Sequence, residues 1–143
     1  MMQNFKEIIV VAALIYKNSQ MLVCKRSIYK DQGGLWEVPG GKVEEGESHQ
    51  EALERELQEE LQISVVVQNH IATSCVQNIP KSLDITMYVY TCQIIEPQKT
   101  NDFISTDHDE IRWIDAQDIL QLEWAIADRP ILGAFQKFLQ QRK

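Results

Sequence analysis

Basic residues are scarce in this chain. Its 143 residues hold 14 Lys and Arg against 21 Asp and Glu, a net charge of −7. So negative a surface is repelled by nucleic-acid backbones and anionic lipid, which excludes polymeric nucleic acid and the membrane as general partners. A small phosphate substrate is not excluded, because a bound cation inverts the local sign. Long apolar runs are missing too: nothing approaches the ~20 residues of a membrane span. The N-terminus, MMQNFKEIIVV, has no basic stretch leading into a cleavable apolar segment, so no signal peptide is expected. Cysteine is rare. Cys24, Cys75 and Cys92 are odd in number and widely spaced, without a C-x-x-C pair. Neither zinc nor a disulfide framework is expected from them. All three are expected to be packed in the interior, in a reducing cytoplasm. Repeats, low-complexity tracts and linkers are missing as well, and the length suits one domain over 1–143.

What the chain does have is a run of strand-like segments around two helices. Residues 5–16 and 20–26 read as strands split by the turn-like Lys17-Asn18-Ser19. Residues 35–38 form a short strand, and Pro39-Gly40-Gly41 turns the chain. Residues 63–77 and 83–95 are β-branched and aromatic, a strand pair joined around Pro80. Residues 111–114 add a short strand, Asp115 caps a brief helix through Leu120, and a last helix starts near Asp128 and Pro130. Two helices on separate sides of a sheet make a three-layer α/β/α sandwich.

The most informative stretch is 40–63, GGKVEEGESHQEALERELQEELQI. Ser48 and Glu51 have the spacing of a helix capping box. Leu53, Leu57 and Leu61 recur every four residues and make a core-facing stripe. Beside them Glu56, Glu59 and Glu60 stand at i, i+3 and i+4, on one side of the helix. Like charges at i, i+4 cost about 0.2–0.5 kcal/mol per pair, yet Arg55 is the only Lys or Arg between Lys42 and Lys81. A divalent cation that prefers hard oxygen ligands, Mg²⁺ or Mn²⁺, makes such a cluster favourable. A lone E-x-x-E-E is ordinarily a solvated face. Here Gly41, Glu47 and Arg55 precede it at fixed offsets, which argues against that simpler reading.

This segment resembles the signature of the Nudix hydrolases, G-x5-E-x7-R-E-U-x-E-E-x-G-U, with U a bulky aliphatic residue. Gly41, Glu47, Arg55, Glu56, Leu57, Glu59, Glu60 and Ile63 match eight of its nine defined positions over 41–63. The departure is Gln62, where the family has Gly at the helix exit. The resemblance implies the Nudix fold, an α/β sandwich with a mixed sheet, and hydrolysis of a phosphoric anhydride. It implies a metal site of Glu56, Glu59, Glu60 and the Gly40 carbonyl. It further implies that one of these carboxylates, Glu56 by preference, takes the proton from water. Arg55 is expected to orient Glu56 or Glu59, and Glu47 to steady the loop.

Outside the box the resemblance implies a further metal-binding residue, Glu110, and an arginine that contacts nucleotide, Arg26. Lys42 is placed to reach a phosphate. Asp128 stands where members running from MutT to CTP pyrophosphohydrolase read the base edge. It is also an obvious helix N-cap. An ionised Asp accepts only, so it would prefer base N–H groups. Trp124 is a candidate for stacking on a base or for the core. His49, His70 and His108 have no ligand spacing and read as structural or solvated. Tyr88 and Tyr90 share a strand face and read as sheet packing. The leading expectation is a (d)NTP pyrophosphohydrolase, acting on ordinary, oxidised or methylated nucleotides. Alternatives are hydrolysis of another nucleoside diphosphate derivative, such as ADP-ribose or a dinucleoside polyphosphate, and a catalytically silent nucleotide-binding module. Oligomeric state stays open.

Overall fold

The computed structural model describes residues 4–95, 103, 105 and 107–142. Its organising element is β1 (Lys6–Lys17), an almost unbroken apolar run, as expected of a strand buried on both faces. Alternate side chains divide between two cores. Val11, Ala13 and Ile15 face a cluster with Leu53, Leu57 and Leu61 of α1 (His49–Leu61). Ala12, Leu14 and Tyr16 face a second cluster with Trp124, Phe135 and Leu139. Phe135 and Leu139 belong to α2 (Leu132–Gln140). The three-layer expectation therefore holds, with α1 and α2 on opposite sides of the sheet.

Seven strands are present among the described residues, in the order β3-β2-β1-β6-β5, with β4 on β1 and β7 on β2. β1 runs parallel to β6 (Leu83–Ile94), from Lys6↔Leu83 to Ile15↔Cys92. It is antiparallel to β2 (Gln20–Arg26), and β6 is antiparallel to β5 (Val65–Asn78). The sheet is therefore mixed. Strand β3 is only Trp36–Glu37, while β7 runs from His108 to Asp115, longer than expected at its start. The Pro39-Gly40-Gly41 turn is corrected: Gly40–Lys42 is a strand, β4, antiparallel to Val10–Ala12. The segment looked like a turn because glycine carries no side chain to signal a strand. Here the absence of side chains lets β4 lie close against β1. A Cβ on Gly40 would collide with the backbone of Val11 and Ala12.

The α1 N-terminus is built as expected. Ser48 Oγ accepts the Glu51 N–H at 3.1 Å, and Glu51 Oε1 accepts the Ser48 N–H at 2.9 Å. At the other end Gln62 takes the left-handed conformation, φ 56°, and donates its N–H to the Gln58 carbonyl. That is where the motif has glycine, because an L-residue there costs about 1–2 kcal/mol. Gln62→Gly should therefore stabilise the protein by roughly 0.5–1 kcal/mol, after the entropy glycine adds to the unfolded chain. Its denaturant midpoint should rise with an unchanged slope; a lower midpoint would contradict this account of the exit.

Two smaller expectations change. The segment after Asp115 is a 3₁₀ helix, Ala116–Gln121. Cys24 and Cys92 are buried, and burial pushes both thiols up, Cys92 to about 12. Cys75 is exposed instead. No described helix is long and apolar enough to cross a membrane.

Candidate active site

Arg55 is the hub of the acidic helix. Its Nε and Nη2 donate to the two carboxylate oxygens of Glu47 at 2.6 and 2.9 Å, a bidentate pair. Nη1 reaches Glu56 Oε1 at 3.0 Å and Glu59 Oε2 at 3.3 Å, and Nη2 also donates to the Lys42 carbonyl at 3.1 Å. Glu47 in turn accepts the Glu44 N–H at 2.9 Å. The Arg55 guanidinium, with that backbone N–H, holds the Glu47 carboxyl down at about 2. The same pairing, with Glu47 first and Glu56 next, raises Arg55. Arg55 thus touches both Glu56 and Glu59, and Glu47 joins it to the backbone of the preceding loop.

Glu56 is 16% exposed and lies over Gly41, where a Cβ would strike its carboxyl group. Glu60, one turn on, points into a pocket of about 350 Å³. Burial first, then the negative charges of Glu37 and Glu56, push the Glu60 carboxyl up to about 9. Glu59 is 61% exposed. Among the described residues no three His, Cys, Asp or Glu gather closely enough to hold a metal ion as they stand. The donor chemistry nevertheless suits one: oxygen only, with carboxylates in excess and one of them raised by burial and by its neighbours' charges.

The pocket crosses the sheet. Val10 and Ala12 of β1 and Ile85 and Met87 of β6 give it an apolar lining, and Gly40, Gly41 and Lys42 of β4 border it. Glu37, Asp128 and Arg26 line it as well. Five of the residues expected from sequence, Arg26, Gly40, Lys42, Glu60 and Asp128, are thus brought to one cavity. Arg26 is engaged there: Nη1 donates to Glu37 Oε1 at 2.9 Å and Nε to the Asp31 carbonyl at 2.7 Å.

Asp128 is 2% exposed, and its role as a helix cap is corrected. It makes no side-chain cap to the short 3₁₀ segment Arg129–Ile131 before α2. Instead Oδ1 accepts the Val38 N–H at 3.2 Å, across the pocket. Burial first, then Glu37, raises its pKa well above the usual range, against the pull of Val38 and Arg26. That rise works against the ionised form on which the acceptor-only reading rests; if protonated, the carboxyl would offer an O–H donor beside its acceptor. Trp124 is 3% exposed and belongs to the core. Its indole N–H donates to the Ile119 carbonyl at 2.7 Å, and its ring packs on Phe135. Core packing has taken the face a base would need. Glu110 is not brought to the main pocket. It pairs with Arg112 at 2.6 Å and lines a shallow cavity beside it.

Two residues of the pocket escaped sequence reasoning. Glu37 was read as part of a strand, and His108 as structural or solvated. A charged residue between the buried Trp36 and Val38 was the one local sign of Glu37. His108 carried no sign, since its pocket partner Glu37 is distant in sequence.

Comparison with known proteins follows this geometry. A family model described as NUDIX domain matches residues 6–135. The chain is 36% identical over 130 residues to the CTP pyrophosphohydrolase of Escherichia coli K12, covering 91% of this chain and 92% of that protein. It is 40% identical over 65 residues to the 8-oxo-dGTP diphosphatase of Proteus vulgaris, covering 46% and 58%. Among solved structures it is similar to the Escherichia coli ORF135 protein, with a TM-score of 0.78 and 34% identity, covering 96% of this chain and 94% of that one. It is also similar to a MutT protein from Methanosarcina mazei Go1, with a TM-score of 0.79 and 25% identity, covering 97% and 98%.

Proposed function

The chain belongs to the NUDIX hydrolase family, and on that premise we propose that it is a nucleoside triphosphate pyrophosphohydrolase. It cleaves (d)NTPs, ordinary or modified in the base, to the monophosphate and pyrophosphate. The observation that carries this reading is one pocket that joins the acidic helix at Glu60 to the half-buried Glu37 and the buried Asp128. A nucleotide needs both ends: a charge-handling site for its phosphates and a polar edge for its base.

The Gly40 carbonyl, Glu56, Glu59 and Glu60 would hold a divalent cation, Mg²⁺ or Mn²⁺; Glu110 stays with Arg112, outside the main pocket. When bound, the ion supplies neutralisation of phosphate charge and acidification of water. The protein does the rest. Arg55 holds Glu56 in place, and Glu56 takes the proton of the attacking water. Lys42 meets phosphate charge at the rim. The floor of Val10, Ala12, Ile85 and Met87 excludes water from the nucleoside. Asp128, neutral, donates to and accepts from the base edge, and Glu37 faces the same edge. A cytoplasmic setting suits three free thiols.

A panel of NTPs and dNTPs with Mg²⁺, including 8-oxo-dGTP, 5-methyl-dCTP, ADP-ribose and a dinucleoside tetraphosphate, tests this directly. Monophosphate and pyrophosphate should form from one base class in preference. Activity confined to ADP-ribose or the dinucleotide would overturn the substrate. Asp128→Ala should reduce discrimination among bases by about tenfold to a hundredfold. Asp128→Asn, which also offers one donor and one acceptor, should retain it. Loss in both variants would mean that Asp128 acts as an ionised acceptor.

A further inference from the structure

His108 opens β7 opposite Arg26, where the β2–β7 register slips between Lys25 and Arg26. A bulge of this kind re-aims side chains, and here it sets Arg26 and His108 on either side of Glu37. The His108 side chain is 1% exposed, so both ring nitrogens need partners. Nε2 lies 3.0 Å from Glu37 Oε2, and Nδ1 lies 2.9 Å from Ser105 Oγ. A carboxylate can only accept, so Nε2 carries the hydrogen. Nδ1 then accepts from the Ser105 hydroxyl, whose oxygen takes the Asp107 N–H at 3.3 Å. Glu37 Oε1 is held from the other side by Arg26 Nη1 at 2.9 Å. Both oxygens of Glu37 are thereby fixed, on a strand only two residues long. The same Nε2 stands 3.9 Å from Glu60 Oε2, so the imidazole sits between the base end of the pocket and the acidic helix.

We propose that His108 is a positioning residue that sets nucleobase selectivity by holding Glu37 in one orientation against the bound base. This rests on the nucleotide reading above. It assigns a function to a residue that never contacts substrate: Ser105 orients the ring, the ring orients Glu37, and Glu37 meets the base. A histidine kept only for packing would affect stability and leave the order of substrates alone.

Two amides separate these roles. In His108→Gln the side-chain nitrogen reaches the place of Nε2 and can still donate to Glu37. In His108→Asn the amide reaches only the place of Nδ1, keeping Ser105 and releasing Glu37. Steady-state kinetics of the wild type and both variants over the nucleotide panel, with melting temperatures alongside, decide the matter. His108→Asn should lower kcat/KM for the preferred nucleotide by about tenfold to a hundredfold, more through KM than kcat. The ratio of preferred to disfavoured base should fall with it, and His108→Gln should restore that ratio. In a Glu37→Ala background, His108→Asn should cost nothing further. If His108→Asn fails to fold, Ser105→Ala takes its place, and the ratio should fall in the same direction. Unchanged ratios in the variants, or equal loss in Gln and Asn, would overturn the proposal. A wild type that cleaves no triphosphate would remove the nucleotide reading and this proposal with it. A selective wild type with indifferent variants would remove this proposal alone.

Discussion

Glu56→Gln should lower kcat by about 10²- to 10⁴-fold, the range for losing a positioned general base, while the protein still folds. The variant keeps the shape of the side chain, and its amide oxygen can still accept from Arg55 Nη1, now at 3.0 Å from Glu56. The buried stripe of Leu53, Leu57 and Leu61 is untouched. What is lost is one negative charge and one proton acceptor. Pyrophosphate release at saturating Mg²⁺ is the measurement, and turnover near wild type would sink the assignment of Glu56. The same change removes one of the charges that raise Glu60, so Glu60 should titrate lower in the variant. The sign for stability follows. A carboxyl raised from 4.5 to about 9 stabilises the metal-free fold fully below 4.5, and that contribution is lost as pH rises through 9. The variant should lose less over that interval, which melting curves across pH will register.

The two adjacent glycines should fail in opposite ways. Gly40→Ala places a methyl group against the Val11 carbonyl and the Ala12 backbone. Backbone cannot rotate aside, so β4 must leave β1, at a cost on the order of 3 kcal/mol. Gly41→Ala instead meets the carboxyl end of Glu56. A side chain can swing away, so stability should drop little, but Glu56 leaves its place and activity should fall nearly as far as in Glu56→Gln. Denaturant melts paired with turnover numbers check both. Equal destabilisation by the two substitutions would mean that the Glu56 side chain cannot yield. An active Gly41→Ala would mean that its position over Gly41 is unimportant to the reaction.

These predictions divide along the line between what the chain carries locally and what folding adds. The acidic helix was legible because every part of it is local. Its capping box spans four residues, Ser48 to Glu51, its core stripe repeats every four, and Glu56, Glu59 and Glu60 fall on one side by helical geometry alone. The same holds for β1, whose apolar run had to be buried on both faces. Strand β4 was read as a turn because nothing within Pro39-Gly40-Gly41 calls for a strand; Val10–Ala12, some 30 residues earlier, supplies the hydrogen bonds. Asp128 was read as a base-edge residue or a helix cap because its neighbours in sequence invite capping. Its side chain instead accepts from Val38, and burial beside Glu37 raises its pKa. His108 and Glu37 lie 71 residues apart and meet only because β7 and β3 flank β2. By itself, then, the sequence determined the fold class, the capped helix and the cluster of carboxylates, since spacing along one element places them. Only the tertiary structure decided which groups share a pocket, whose pKa values burial raises and which are already paired, because desolvation and charge act through space and not along the chain.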